Sequence, residues 1–548
     1  MNKIFISIIA IALATGITTT GVRAQAAFDM AQIGQNDLRG TARYMSMAGA
    51  YGALGGDLSS ISHNPAGIGV YRYSDVGLTL GLNLQSTKSQ DNNGVKNTLF
   101  SCNNAGYVGV FNINSESLKN FNWGFTYNRA LSFNRRTAGR FNNLKTSLSN
   151  YVAGVTNSLG YYYDPTQAEE GRTPASNNLA SEYNGYVPWL STLTFYSFAM
   201  SPNSNGENFQ GLYGDGTRGY GTFETVENGG VDEYNITFGG NFYDKLYWGF
   251  GVGITDLNHT TSTYYAENLD DAYLDDAYLD DGNMISRGSA VWDLQNYLHT
   301  FGTGWNFKLG FIAVPTQALR IGFSFETPTY YQLTDQYYAD SQFDYSNGLT
   351  YNPSVDVNCS TPVGEIYYQI STPWKFQASA AAIINSRATL SFEYQYTGTQ
   401  TMRIKNNIGI TDFEMTQTVK DYLKATNTYK IGAEVRVTPQ LSVRAGYSYE
   451  SSPVKDDVVN NLWDIYTSGT MPAYNIVRNT QYVTAGIGYK FKNLYADLAY
   501  VHKSRTNDYH AFSPAFYEEG GRIMAEQSPT AVVKDNNNQI VLSLGIRF

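Results

Sequence analysis

From Tyr73 to its last residue the chain repeats stretches in which every second residue is apolar, and that period of two is the strongest constraint on its fold. In a strand successive side chains point to opposite faces, so such a stretch has one apolar and one polar face. The last one places Ile540, Leu542, Leu544, Ile546 and Phe548 on one face and Val541, Ser543, Gly545 and Arg547 on the other. Leu319 to Glu326, Tyr429 to Val437 and Leu441 to Ser448 repeat the pattern. Of 548 residues 15% are charged and 15% aromatic, with a mean hydropathy of -0.33. Soluble domains average roughly 25% charged residues. No mature segment offers the roughly 20 continuous apolar residues of a spanning helix. The aromatic content is too high for disorder.

Alternation alone does not separate a soluble sandwich from a membrane barrel, but the connections do. Strands are expected near 74–86, 102–113, 121–133, 231–243, 246–264, 298–313, 318–333, 362–383, 388–401, 427–437, 440–451, 478–491, 493–504 and 538–548. Short turns at Asn114 to Asn120, Asp244-Lys245, Val314 to Gln317, Ile384 to Arg387, Thr438-Pro439 and Lys492 alternate with long polar loops. That rhythm and an even number of about fourteen strands fit an all-β fold, a transmembrane antiparallel β-barrel with periplasmic turns and external loops. Closure also removes the free sheet edges.

The ends agree with an outer-membrane location in a Gram-negative-type envelope. Residues 1–24 read as a secretory signal peptide: Lys3, an apolar stretch from Ile4 to Ile17, and Val22-Arg23-Ala24 before Gln25. The terminal Phe548 resembles the signal read by the outer-membrane barrel insertion machinery. Residues 25–72, rich in Gly, Ala and Ser, lack alternation, and the barrel is expected over 73–548.

The largest loop, about 134–230, contains four prolines and a candidate helix from Leu144 to Leu159. The tandem repeat Asp270-Asp271-Ala272-Tyr273-Leu274, Asp275-Asp276-Ala277-Tyr278-Leu279 is an acidic loop without the glycine and ligand spacing of a calcium loop, and no metal site is assigned. Cys102 and Cys359 leave one disulfide open. The net charge of -10 argues against a nucleic-acid partner. His63, His259, His299, His502 and His510 are scattered and no Gly-x-Ser-x-Gly elbow or phosphate loop occurs, so neither an enzyme nor a cofactor is expected.

Met47-Ala48-Gly49-Ala50-Tyr51-Gly52-Ala53, then Asp57-Leu58-Ser59-Ser60 and His63-Asn64-Pro65-Ala66-Gly67-Ile68, resemble the N-terminal hatch of the FadL/TodX family of outer-membrane hydrophobic-compound transporters. Leu441 to Val454 and Thr372-Pro373-Trp374 resemble later strands of that family. The resemblance implies a hatch motif of Asn64, Pro65, Ala66 and Gly67 inside the lumen. It implies a monomer that captures lipophilic small molecules, such as long-chain fatty acids, at the external loops and releases them through a side opening beside outer-membrane lipid. A kink is expected in the third strand, where Gly124 and Asn128 interrupt its outward face. The lumen face should carry a polar network of Arg320, Glu434, Arg436, Arg444, Lys490 and Arg547, paired with one another and with hatch residues such as Asp57 and His63. A general diffusion porin and an adhesin or structural barrel with functional loops are the other two readings.

Overall fold

The computed structural model describes residues 27–89, 94–113, 115–162, 183, 187–202, 208–274, 286–346, 354–463, 465, 467–519 and 522–548. The expected signal peptide and the second half of the acidic repeat lie outside them. The principal strands are β1 (Asp75–Lys88), β2 (Val95–Asn112), β3 (Leu118–Ser132), β4 (Arg135–Phe141), β5 (Arg218–Phe242), β6 (Leu246–Leu274), β7 (Ser286–Thr316), β8 (Leu319–Glu326) and β9 (Tyr330–Ser346). They continue with β10 (Gly364–Ser371), β11 (Lys375–Ile384), β12 (Ala388–Thr397), β13 (Arg403–Asn406), β14 (Thr426–Arg436), β15 (Leu441–Glu450), β16 (Tyr474–Phe491), β17 (Leu494–His510) and β18 (Thr530–Arg547).

Four of these pairs, β3/β4, β8/β9, β10/β11 and β12/β13, each form one interrupted staff, so the wall has 14 strands. Every neighbour is antiparallel, and β1 pairs with β18 from Asp75 opposite Arg547 to Lys88 opposite Lys534, which closes the barrel. The interruptions have a local cause. Pro328 separates β8 from β9 and Pro373 separates β10 from β11, and neither residue can donate a ladder hydrogen bond. The two breaks lie side by side and are repaired across the gap. Thr329 N donates to Thr372 Oγ1 at 2.8 Å and Thr372 N to Thr329 O at 3.1 Å.

The alternation sorts as expected. On β18, Ile540, Leu542, Leu544 and Ile546 are exposed on the outer wall, while Val541 and Ser543 are buried inside. Leu78, Leu80 and Leu82 of β1 stand opposite Leu544, Leu542 and Ile540, continuing the apolar surface across the seam. Short turns close one end. Tyr243 and Asp244 join β5 to β6 with φ of 56° and 58°, the mirror-image turn that suits twisted hairpins.

At the other end the strands run further than the sequence pattern indicates. β5 starts at Arg218 rather than 231, β6 reaches Leu274, and β4 occupies part of the expected loop. The helix expected over 144–159 is α3 (Leu148–Ser158), capped by Ser147, whose side chain accepts from Ser149 N. α3 packs with α4 (Trp189–Tyr196) and the aromatic residues Phe141, Phe223, Tyr265, Tyr509 and Phe512 into an apolar cluster over this end. Cys102 and Cys359 are both free thiols.

A charged residue on the outer wall at mid-height must lose its hydration to lipid, at a cost of about 2–4 kcal/mol for Arg. Leu542→Arg should therefore lower the urea midpoint for unfolding from bilayers, whereas Asn538→Arg, nearer the outer end, should shift it little. Equal midpoints for both variants and the parent would contradict the assigned lipid face.

Candidate functional site

The segment 27–72 lies inside the barrel, built from α1 (Ala27–Ile33), α2 (Ala42–Ser46) and two 3₁₀ turns, Ser60–Ser62 and Pro65–Val70. It touches strands around the whole circumference. Glycines of the wall let its backbone come close. A Cβ on Gly432 would meet Met47 O at 2.6 Å and one on Gly446 would meet Met47 C at 2.6 Å. On the opposite wall a Cβ on Gly249 would run into the Pro65 carbonyl, and one on Gly310 into Asn64 Oδ1. Strand glycines ordinarily weaken a sheet, and here they admit a second backbone at close range.

The Asn-Pro-Ala-Gly motif is the pivot of that contact. Asn64 caps the Pro65–Val70 turn by accepting from Ala66 N at 3.1 Å, and Pro65 occupies the first turn, where no N–H is needed. The other side of the same amide donates to Gly52 O at 2.6 Å, tying the motif to the Ala/Gly-rich limb. Gly67 packs against Gly55, and Gly56 N donates to Gly67 O at 3.1 Å. Asn120 and Asn122 of β3 then hold the turn from the wall, donating to Tyr71 O at 2.9 Å and Ile68 O at 2.7 Å.

Charge fixes the opposite side. Arg43 of α2 forks onto Glu434, with Nε to Oε2 at 3.1 Å and Nη2 to Oε1 at 3.2 Å. Arg444 reaches the same carboxylate at 2.5 Å and Asp497 at 2.5 Å. Asp37 bonds to Arg39 at 2.7 Å and to Lys503 of the wall at 3.0 Å. Burial alone would raise the Asp37 carboxyl, but Lys503 and Arg39 together hold it well below the ordinary range. Burial pushes His63 down to about 3, with Lys430 and Lys308 adding to the shift, so its imidazole is neutral as it stacks on Tyr44 at 5.1 Å.

Four of the six expected network residues belong to this arrangement. Glu434 and Arg444 are its centre, Arg320 donates to Leu54 O at 2.9 Å, and Arg547 binds Asp75 at 3.0 Å. Arg436 and Lys490 do not. They are exposed beside the short turns, because alternation gives a residue's face but not its height along the strand. Asp57 and His63 make no ion pair with the wall among the described residues; Asp57 instead accepts from Thr41 and from the Ser59 and Ser60 amides. The wall's ion-pair partners in the segment are Arg43, Asp37 and, at the short turns, Arg72, none of which the sequence pattern singles out. Their signal is nonetheless present: they are three of only six charges between residues 27 and 72.

The third strand also needs correction. Gly124 and Asn128 lie on its inward face, since Phe121, Trp123, Phe125 and Tyr127 take the outward one. Gly124 lies near Ile68, and Asn128 donates to Ser62 Oγ at 2.7 Å. The irregularity falls immediately beyond. β2 pairs with β3 only from Asn104 opposite Asn128 to Asn112 opposite Asn120; Val95–Cys102 pair with β1 alone, and Asn103 is a bulge between the two runs. Past Asn128 the register on β5 shifts between Arg129 and Leu131, and β4 passes inside β1, where Thr87 Oγ1 donates to Arg136 O at 2.5 Å and Ser89 Oγ to Ala138 O at 3.1 Å. The wall is thus unladdered beside the outer half of β2.

Above the segment, between α1, β4–β7, β16 and β17, lies a cavity of about 60 Å³. Its lining combines Phe28, Leu298, Met471 and Val477 with hydroxyls and with Arg135, Glu227, His259 and Arg505.

Residues 242–503 match the sequence profile of the family described as outer membrane protein transport protein (OMPP1/FadL/TodX). No curated protein matches the sequence. Among solved structures, a FadL homologue of Pseudomonas aeruginosa is 16% identical, with 94% of this chain and 100% of that one covered and a TM-score of 0.48. The toluene transporter TodX of Pseudomonas putida is 13% identical, covering 93% and 99%, with a TM-score of 0.43. The toluene transporter TbuX of Ralstonia pickettii is 14% identical, covering 93% and 99%, with a TM-score of 0.40.

Arg43→Met removes the segment's half of the Glu434 fork while keeping its length. Cells carrying this variant should become more sensitive to large antibiotics that the intact outer membrane excludes, and Arg436→Ala and Lys490→Ala should leave sensitivity unchanged. Parental resistance in the Arg43 variant would show that this contact does not seat the segment.

Proposed function

Given an outer-membrane barrel of the FadL/TodX type, we propose that it transports hydrophobic compounds by a sideways route, with residues 25–72 acting as a hatch and the barrel beginning at Tyr73. The observation that carries the reading is the combination of a filled lumen and an incomplete wall. Residues 27–72 occupy the axis, while the β2/β3 ladder stops at Asn104 and Asn128. A hydrophilic solute finds no straight channel. A lipophile has a favourable exit, because apolar surface leaving water for lipid gains roughly 25 cal/mol per Å².

Capture belongs to the outer end, where α3, α4 and the aromatic residues around Phe512 form an apolar cluster. From there the compound passes above the hatch and leaves between β2 and β3. Phe100, two-thirds exposed on the unladdered part of β2, faces the bilayer at that exit. Long-chain fatty acids and small aromatic compounds both belong to this class. The filled axis favours transport over a general porin. The partners of the barrel are then the lipophile itself and the surrounding lipid, and the chain acts alone as a monomer.

Cysteine cross-linking tests the exit. An unbroken ladder carried across the bulge at Asn103 would set Leu131 opposite Phe100, so Phe100→Cys with Leu131→Cys in a Cys102→Ser background should fail to bridge under mild oxidation. Ala105→Cys with Tyr127→Cys, opposite one another in the ladder, should bridge in a Cys102→Ser background. Rapid bridging of Phe100→Cys to Leu131→Cys, with uptake of a labelled lipophile unaffected, would remove the side opening from the mechanism.

A further inference from the structure

The outer wall beside the closing seam carries three lysines that meet no carboxylate among the described residues. Lys88 of β1 stands directly opposite Lys534 of β18, and Lys96 of β2 stands opposite Ser86, two residues nearer the bilayer than Lys88. All three are exposed, and by alternation they share the outward face with Leu82, Leu84 and Ile540. Side chains opposite one another in a ladder leave the backbone about 5 Å apart, so like charges at such positions repel. Other exposed cations toward this end are matched: Arg136 with Glu224 at 2.5 Å, Arg287 with Asp271 at 2.9 Å and Arg478 with Asp508 at 2.7 Å. Asp535, next to Lys534 in sequence, points into the lumen, where it accepts from Gln85 Nε2 at 3.0 Å and from Arg505 at 3.2 Å. On a chain whose net charge is -10, an unmatched cationic trio is a repulsion that an anion from outside would relieve.

The rows beneath the lysines indicate which anion. Ser86 lies opposite Asn536, then Leu84 opposite Asn538, then Leu82 opposite Ile540, and the apolar face continues downward from there. Asn538 Oδ1 accepts from Tyr500 Oη at 2.7 Å, which sets a polar tip of an aromatic residue at the edge of the lipid face. Going down this wall, a lipid meets positive charge, then hydroxyl and amide groups, then hydrocarbon. A phosphorylated, multiply acylated glycolipid presents its phosphate, sugar and chains in that order, and such a lipid populates the outer leaflet of this kind of membrane. A soluble anion would use the lysines alone, and a glycerophospholipid has no sugar to set against Ser86 and Asn536.

We propose that Lys88, Lys96 and Lys534 bind the phosphate of a phosphorylated glycolipid of the outer leaflet, with its sugar on Ser86 and Asn536 and its acyl chains on Leu82, Leu84 and Ile540. The site spans β18, β1 and β2, so the bound lipid ties the seam to the strand whose other edge is unladdered from Val95 to Cys102. It needs only the outer-membrane location and does not depend on transport.

The test measures binding of diphosphoryl lipid A, its dephosphorylated form and phosphatidylglycerol to the full barrel in detergent. The parent should bind diphosphoryl lipid A about tenfold or more above the other two, since each lysine near a charged lipid surface contributes substantially to attraction. Lys88→Gln combined with Lys534→Gln should weaken diphosphoryl lipid A about tenfold or more, and Lys492→Gln, at the short-turn end, should leave it unchanged. Thermal midpoints give a second readout that also shows the variants to be folded. Without lipid the double variant should be at least as stable as the parent, because the repulsion is gone, whereas added diphosphoryl lipid A should raise the midpoint of the parent and not that of the variant. Equal affinity of parent and double variant for diphosphoryl lipid A would overturn the proposal. Phosphatidylglycerol or the dephosphorylated glycolipid binding the parent as tightly as diphosphoryl lipid A would overturn it as well.

Discussion

A backbone amide in hydrocarbon has no water to turn to, so a chain that crosses the bilayer in strands must pair every one of them with a neighbour. That requirement forces β1 onto β18 and closes the 14 strands into a ring. A circle that wide encloses more space than its own side chains fill, and the chain fills it with residues 27–72. A stretch where the ladder lapses, beside Val95–Asn103, lies next to the point where β4 turns inside the wall. The closed ladder therefore sets the space on the axis that residues 27–72 fill, and its lapse beside β2 is the feature on which the proposed side exit rests.

Two kinds of contact hold the inserted segment, and they work on opposite walls. Around Asn64 and Pro65 the fit is steric and backbone-mediated, through glycines of β6 and β7 and the asparagines of β3. Around α2 it is ionic, through Arg43, Glu434, Arg444 and Asp497. Removing one member of such a buried cluster leaves the others uncompensated, which makes the cluster a position-setting device more than a source of net stability. The same pairing continues up the lumen, in Lys308 with Glu233 and Lys430 with Glu393. The interior is thereby rich in charged side chains yet nearly neutral along the route a lipophile would take.

The wall was largely legible in the sequence because period-two alternation is a local property. Ile540 to Phe548 announce their faces without reference to any other strand. The outer extensions of β5, β6, β7 and β9 read as loops because their buried faces mix Thr225, Glu227 and Glu267 with aromatic residues such as Phe223 and Tyr265, which breaks the apolar alternation. Height along a strand has no local signature at all, so the sequence does not distinguish Arg436 and Lys490, which stand at the rim, from Arg444, which lies deep in the lumen. The inserted segment has no period, so its Asn-Pro-Ala-Gly motif was visible only as turn chemistry. The ionic role of Arg43 depends on Glu434, nearly four hundred residues away, and only the closed barrel brings the two together.

Single-channel conductance in planar bilayers tests the central claim most directly, because ions report whether the axis is open. The account predicts that the intact protein inserts with no large steady current, and that removing residues 41–72 creates a steady conductance of the size expected for an open barrel. Large, steady openings from the intact protein would contradict it, since a lumen open along its axis leaves neither a hatch nor a need for a side exit.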